Sequence, residues 1–379
     1  MSAIVKTITH IGLAFELGDK RAYGNARGLR TARAISLIVV ETRDGTLGIG
    51  EAWGPPKPTA AHLDVIRPYF VGASVHDREL VRQRILDVLY HQGVENPMMA
   101  ALSGIDMALH DIAGKEAGLA LCRLIGGRGA DSVPVYASTG YFTASPKRGL
   151  ERQIKAMADK GFGALKIKIG RNAADDETRV KAVRRLLGPN VTLMVDANAA
   201  YRTDQALESM ARIAPQRIHW YEEPVAPWDF AGYSELRGRA AMRISGGEAL
   251  YGARTLKRFI DERCVDVVQP DLTMCGGLDE GTLVAKLAGL AGIGVTPHVW
   301  GGAVGLAAAI HFAAATPELP STAYAAHPNY LEFDLSENPL RDAILSEPIV
   351  AAKGMVAVPA GPGLGIELDW KVVERYRVK

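Results

Sequence analysis

The chain has 379 residues, 48% of them hydrophobic and 23% charged, with a formal net charge of only +2. This is ordinary globular composition, with enough apolar material for one large barrel and a smaller domain. The near balance of charge, without a dense Lys/Arg block or a basic stripe, speaks against nucleic acid and anionic membrane surfaces and leaves a small molecule as the expected partner.

Residues 1–125 do not alternate strand with helix. Ile4 to Leu13 and Ala34 to Thr42 read as strands, the second turning at Asp44-Gly45 into Thr46 to Trp53 as an antiparallel hairpin would. Gly18 to Thr31, rich in Gly and Arg, reads as a mobile loop, the kind of segment that carries specificity on a rigid scaffold. From Pro97 a helical pattern places Leu102, Ile105, Leu109 and Ile112 on one face and stops near Gly118. MSAIVKTITH has no signal-peptide apolar region, and Ala303 to Ile310 is too short to span a bilayer, so a cytoplasmic protein is expected. Cys122, Cys264 and Cys275 are scattered and read as reduced core thiols.

From Val133 the rhythm changes to strand then helix, eight times over. Strand ends are expected at about Thr139, Lys166, Asp196, Glu222, Glu248, Asp271, His298 and Glu332. They lie between 23 residues (Glu248 to Asp271) and 34 residues (His298 to Glu332) apart, as βα units would. The expected fold is therefore α/β: an α+β capping domain over residues 1–125, a (β/α)8 barrel over 126–345, and a segment 346–379 returning to the cap. Such a barrel gathers the C-terminal ends of its strands into one active site.

What those ends carry is chemical. In GALKIKIG, Lys166 and Lys168 are two residues apart in an apolar run and share one face of a strand. Burying two cations is costly unless anions or developing negative charge lie nearby. Asp196, Glu222 and Glu248 end three successive strands, and three converging carboxylates call for a cation. An all-oxygen set suits Mg2+ rather than zinc. Read singly, each acid could instead be a helix cap or a salt-bridge partner. Asp271 in VVQPDL and His298 in VTPHVW end neighbouring strands, where the carboxylate would fix the imidazole tautomer and leave its other nitrogen for proton transfer. Glu332 in YLEF would, if protonated, donate a hydrogen bond to a substrate oxygen, or else simply pair with Lys166. Glu51, Glu223 and His327 read as structural or rim residues, and GGLDEG (276–281) as a loop without phosphate-binding spacing.

Taken together, LSGIDMALHDIAGK, KIK, DAN, EEP, GGE, QPD, PHVW and LEFD, in that order, resemble the enolase superfamily and its mandelate racemase subgroup. The resemblance covers nearly the whole chain. It implies Asp196, Glu222 and Glu248 as Mg2+ ligands with Asn198 behind them, Lys168 as one base, and the Asp271–His298 pair as acid or base on the opposite face. Lys166 and Glu332 would receive the substrate carboxylate. The implied chemistry is abstraction of the proton α to a carboxylate, with Lys168 lowered in pKa by nearby cations. The C-terminal third looks most like acid-sugar dehydratases and galactarolactone cycloisomerases, so β-elimination from a sugar acid or lactone is expected. A racemase or epimerase, or a binding protein that has lost turnover, are the alternatives. Tyr23, Arg27, Arg30, Trp53 and Thr139 are the expected substrate contacts, and a homo-oligomer is the expected assembly.

Overall fold

The computed structural model describes residues 3–92, 95–127, 130–318 and 328–378. His327 lies outside them. The first strand, β1 (Val5–Glu16), is followed by a short hairpin of β2 (Tyr23–Asn25) and β3 (Gly28–Arg30), and then by β4 (Ala32–Thr42) and β5 (Leu47–Ala52). β4 pairs antiparallel with both β1 and β5, giving the three-stranded sheet of the cap. The hairpin is where an open loop was expected. Asn25 Oδ1 accepts from the Arg27 amide at 3.0 Å and Gly28 takes a φ of 137°, so the chain reverses and β2 pairs with a barrel-side strand.

The helices α1 (Pro56–Phe70), α2 (Arg78–Val88), α3 (Met98–Ala117) and α4 (Leu121–Ile125) complete the cap. α3 is buried over almost its whole length and ends on Gly118 in the left-handed conformation, as the sequence leads one to expect. Gly48 and Gly50 on β5 let it approach closely: a Cβ at either would overlap the carbonyl of Ala108 or Gly104.

The barrel begins with β6 (Ser132–Thr139), the two-residue β7 (Phe142–Thr143), which pairs with β2, and α5 (Leu150–Asp159). There follow β8 (Ala164–Lys168), α6 (Ala173–Leu187), β9 (Thr192–Asp196), α7 (Thr203–Ile213), β10 (Trp220–Glu222) and α8 (Phe230–Arg239). The second half runs β11 (Arg243–Gly246), α9 (Gly252–Asp261), β12 (Val267–Val268), α10 (Gly277–Leu290), β13 (Gly294–Val295), α11 (Ala303–Ala315), β14 (Leu331–Asp334) and α12 (Pro339–Asp342). The strands are parallel in the order β14-β6-β8-β9-β10-β11-β12-β13, the (β/α)8 arrangement. One continuous core joins barrel and cap, and Cys122, Cys264 and Cys275 are free thiols buried in it.

The last segment does more than return to the cap. Its hairpin, β15 (Ala351–Ala352) and β16 (Met355–Ala357), first pairs with the start of β6. Only then does α13 (Trp370–Tyr376) reach β1, where Leu13 and Arg377 form a bridge. Among the described residues no helix is long and apolar enough to cross a membrane.

Candidate active site

Register brings the first charges together. Lys168 pairs with Asp196, and Asp196 with Glu222, across β8, β9 and β10 at their C-terminal ends. One carboxylate oxygen each from Asp196, Glu222 and Glu248 lies within 4.8 Å of the others. Asp196 accepts from Lys168 Nζ at 2.5 Å and from the Asn198 amide at 2.7 Å. Glu222 accepts from Lys166, from Trp220 Nε1 at 3.1 Å and from Gln269 Nε2 at 2.7 Å. Burial pushes the Glu222 carboxyl up, the other acids add to the effect and Lys166 opposes it, to about 8.

Glu248 Oε2 and Asn198 Oδ1 are buried without a hydrogen-bond partner. An orphaned carboxylate oxygen facing two other carboxylates fits a hard divalent cation with oxygen ligands, and Mg2+ matches the donor set. Glu223, expected to be structural or rim, is a fourth buried acid whose carboxyl is raised well above the usual range by burial and by Glu248, Asp196 and Glu222. Asn198, Ala199 and Glu223 all have positive φ, a cluster of uncommon backbone conformations beside the acids.

Three strands stop earlier than expected. β11, β12 and β13 end at Gly246, Val268 and Val295, so Glu248, Asp271 and His298 stand on the loops beyond them. Gly247 turns at a φ of 115°, and Pro270 and Pro297 have no amide hydrogen to offer a ladder. The loops still converge. His298 Nδ1 meets Asp271 Oδ2 at 2.7 Å, while Asp271 Oδ1 accepts from the Thr273 amide and hydroxyl at 2.8 and 2.6 Å. The other imidazole nitrogen, Nε2, stands 3.6 Å from Glu248 and 3.8 Å from Glu332. Burial alone would lower the His298 pKa, but Glu248, Glu332 and Asp271 together raise it to about 10.

The protein's own charges favour an ionised Glu332, the partner for Lys166 that was the second of its two readings, and a protonated Lys168. Glu332 is held down at about 2: burial opposes ionisation, but Lys166, His298 and Lys168 outweigh it. It pairs with Lys166 at 3.1 Å and accepts from the Val299 amide at 3.1 Å. Lys168 is raised rather than lowered: burial and the repulsion from Lys166 would lower it, but Asp196, Glu248 and Glu332 together outweigh them. Lys166 is fully buried and raised well above its usual range, since Glu222 and Glu332 overcome the burial that would lower it.

A cavity of about 230 Å³ opens over these groups. Its floor includes Lys168, Asn198, Glu248, Asp271 and His298, and Tyr141, Tyr251, Met274 and Trp300 form much of the wall. Arg30 and Trp53 reach it from the cap, together with Gly24 and Asn25 of the hairpin. Tyr23 and Thr139 line a separate cavity of about 440 Å³, and the Tyr23 hydroxyl is occupied by Arg33 and the Glu337 carbonyl at 2.8 and 3.1 Å. Arg27 is exposed and donates to the Ala199 carbonyl at 2.9 Å instead of lining the cavity. Of the five expected substrate contacts, Arg30 and Trp53 reach it. Gln269 was within reach of sequence reasoning, because it lies two residues before Asp271 in the same motif. Tyr141, Tyr251 and Met274 carried no signal beyond being apolar or aromatic.

A capped (β/α)8 barrel with three acids at or just beyond the ends of successive strands and lysine and histidine–aspartate groups on one cavity belongs to the enolase-like enzymes, which are lyases and isomerases. The chain is a member of the mandelate racemase/muconate lactonizing enzyme family: residues 20–126 match its N-terminal domain and residues 149–372 the enolase C-terminal domain-like model. It is 38% identical to the D-galactarolactone cycloisomerase of Agrobacterium fabrum over 91% of this chain and 92% of that protein. It is 31% identical to the arabinonate dehydratase of Saccharolobus solfataricus over 99% and 100%. Among solved structures, the 3,6-anhydro-D-galactonate cycloisomerase of Zobellia galactanivorans superposes with a TM-score of 0.87 at 30% identity, all of both chains being covered. A racemase from Streptomyces coelicolor with bound magnesium gives 0.87 at 26% identity, covering 99% of this chain and 100% of that one.

Proposed function

We propose that this protein is a Mg2+-dependent enzyme that abstracts the proton α to the carboxylate of a sugar acid or its lactone and then expels the β-oxygen. The observation that carries the reading is the convergence of Lys168 and the Asp271–His298 pair on one cavity whose floor includes Glu248 of the acid cluster. Asp196, Glu222 and Glu248 would hold Mg2+, which supplies positive charge for the enediolate that develops as the α-proton leaves. The remaining chemistry belongs to side chains. One of Lys168 and His298, in its unprotonated form, takes the α-proton. The Cβ–O bond then breaks, and the departing oxygen receives a proton from the opposite group, leaving as water in a dehydration or as the freed carboxyl group in a lactone opening. The resulting enol tautomerises to a 2-keto acid. Asp271 orients the imidazole, and Lys166 adds charge beneath the substrate carboxylate.

Incubation of the Mg2+-loaded protein with a panel of aldonic and aldaric acids and their lactones in D2O tests this. Formation of 2-keto acid with loss of the α-proton is the expected result. Inversion at the α-carbon without elimination would assign a racemase instead, and neither exchange nor turnover on any member would remove the catalytic reading.

A further inference from the structure

One buried charge close to the cavity is not used by that chemistry. Arg33 comes from β4 of the cap and is only 4% exposed. Its guanidinium carbon lies 3.6 Å from the centroid of the Trp300 ring, and the same group donates to the Trp300 carbonyl and to the Tyr23 hydroxyl. A buried cation needs an anion, and Asp334 is the one in reach at 3.4 Å. Asp334 in turn accepts from the Tyr141 hydroxyl at 2.8 Å and from Arg341 at 3.0 Å, and Trp300 Nε1 donates to the Tyr141 hydroxyl at 3.2 Å. Arg33, Trp300, Tyr141 and Asp334 thus close a ring of contacts.

Each member adjoins a reacting or charge-bearing group. Trp300 is two residues beyond His298, and Asp334 two beyond Glu332. The Tyr141 ring lies 5.6 Å from Lys168 Nζ. Trp300 and Tyr141 are themselves walls of the cavity. A guanidinium can stack on an indole with its face while its edge binds the carbonyl of the same residue, which an ammonium cannot do. We infer that Arg33 is a positioning residue: by gripping Trp300 at ring and backbone it fixes the loop that carries His298 and the aromatic wall against which the substrate lies. The cap therefore acts on the reaction through the barrel's own loops as well as at the cavity mouth. The inference rests on the proposed reaction for its kinetic readout but not for its structural one.

The kinetic test is a double-variant cycle of Arg33→Lys and Trp300→Phe. Small misplacements of reacting groups cost on the order of 10²-fold. Arg33→Lys should accordingly lower kcat roughly 10- to 100-fold with little change in KM or in Mg2+ affinity, and adding Trp300→Phe should cost far less than the product of the two single effects. Without any substrate, the near-ultraviolet circular dichroism change caused by Arg33→Lys should vanish in the Trp300→Phe background. A wild-type kcat in Arg33→Lys, multiplicative losses in the double variant, or a dichroism change that persists without Trp300 would each overturn the inference. Should Arg33→Lys fail to fold, Tyr141→Phe replaces it in the same cycle, because it breaks the same ring at the Trp300 contact. A dichroism change that vanishes as expected, in a protein that neither exchanges nor turns over any sugar acid, would leave the positioning role standing and remove the proposed reaction.

Discussion

Two groups of acids in this molecule have the same raw geometry for holding a metal ion. Asp196, Glu222 and Glu248 at the barrel mouth, and Asp106, His110 and Asp279 between α3 and α10, each place three ligand atoms within 4.8 Å of one another. They differ in what their oxygens already do. Asp106 Oδ2 accepts from the amides of Leu278 and Asp279 at 2.5 and 3.4 Å, His110 bridges Asp106 and Asp279 at 3.4 and 3.2 Å, and Arg78 binds Asp279 at 3.0 Å. That trio is closed by its own cations and clamps cap to barrel. At the mouth, Lys166 and Lys168 satisfy part of the charge while Glu248 Oε2 accepts no hydrogen bond, its nearest cation being His298 at 3.6 Å. Proximity of acids therefore does not define a metal site. An oxygen left without a donor does.

The largest effects that sharpen this contrast are at the reacting groups above the mouth cluster. Lys168→Met and His298→Asn should each lower turnover about 10²- to 10⁴-fold, the usual contribution of a general acid or base. In D2O, one variant should retain exchange of the α-proton while failing to form product, and the other should lose both. Equal, wild-type rates in the two would show that neither nitrogen moves a proton.

A direct comparison of the clusters comes next. Glu222→Gln should weaken Mg2+ binding on the order of 10²-fold by removing a ligand charge at constant volume, whereas Asp279→Asn should leave Mg2+ affinity unchanged and lower stability instead. Calorimetric titration with Mg2+ separates them, and a loss of affinity in Asp279→Asn would break the contrast.

The smallest effect is a pH dependence. Burial would lower the His110 pKa, but Asp106 and Asp279 raise it from 6.5 to about 9. A group raised on folding contributes stability that is fully present below its unfolded value and is lost as pH climbs through the folded one. Between pH 6.5 and 9.5 the protein should therefore lose roughly 3 kcal/mol of stability that His110→Asn does not lose, as read from urea unfolding at several pH values. Parallel pH profiles for the two proteins would show that His110 is neutral in the clamp.

The barrel, the acids on β9 and β10 and the histidine–aspartate pair were legible because alternation and spacing are local properties. Where the strands actually stop depends on hydrogen bonding between neighbours, so Pro270 and Pro297 could move Asp271 and His298 onto loops without changing their spacing. The balance of charge at Lys168 and Glu332 was harder to read for another reason. Each is decided by a sum over groups from different strands, with three acids for the one and three cations for the other together outweighing burial. Tyr23, Thr139 and Arg27 carry suitable chemistry but face other partners, and nothing in a linear pattern says which cavity a rim side chain enters.

The bridge between Leu13 and Arg377, with the Val378 amide donating to the Gly12 carbonyl at 2.9 Å, joins the first strand of the chain to nearly its last residues. β1 is an edge of the cap sheet, and this contact covers it at Gly12 and Leu13. During synthesis β1 is made long before residues 370–378, so its edge stays bare until they follow. Such an edge templates pairing with other chains. Chains truncated before Trp370 should accordingly aggregate on a sizing column where the chain that carries α13 elutes as one defined species, which makes this helix a seal on the strand edge as well as a part of the fold.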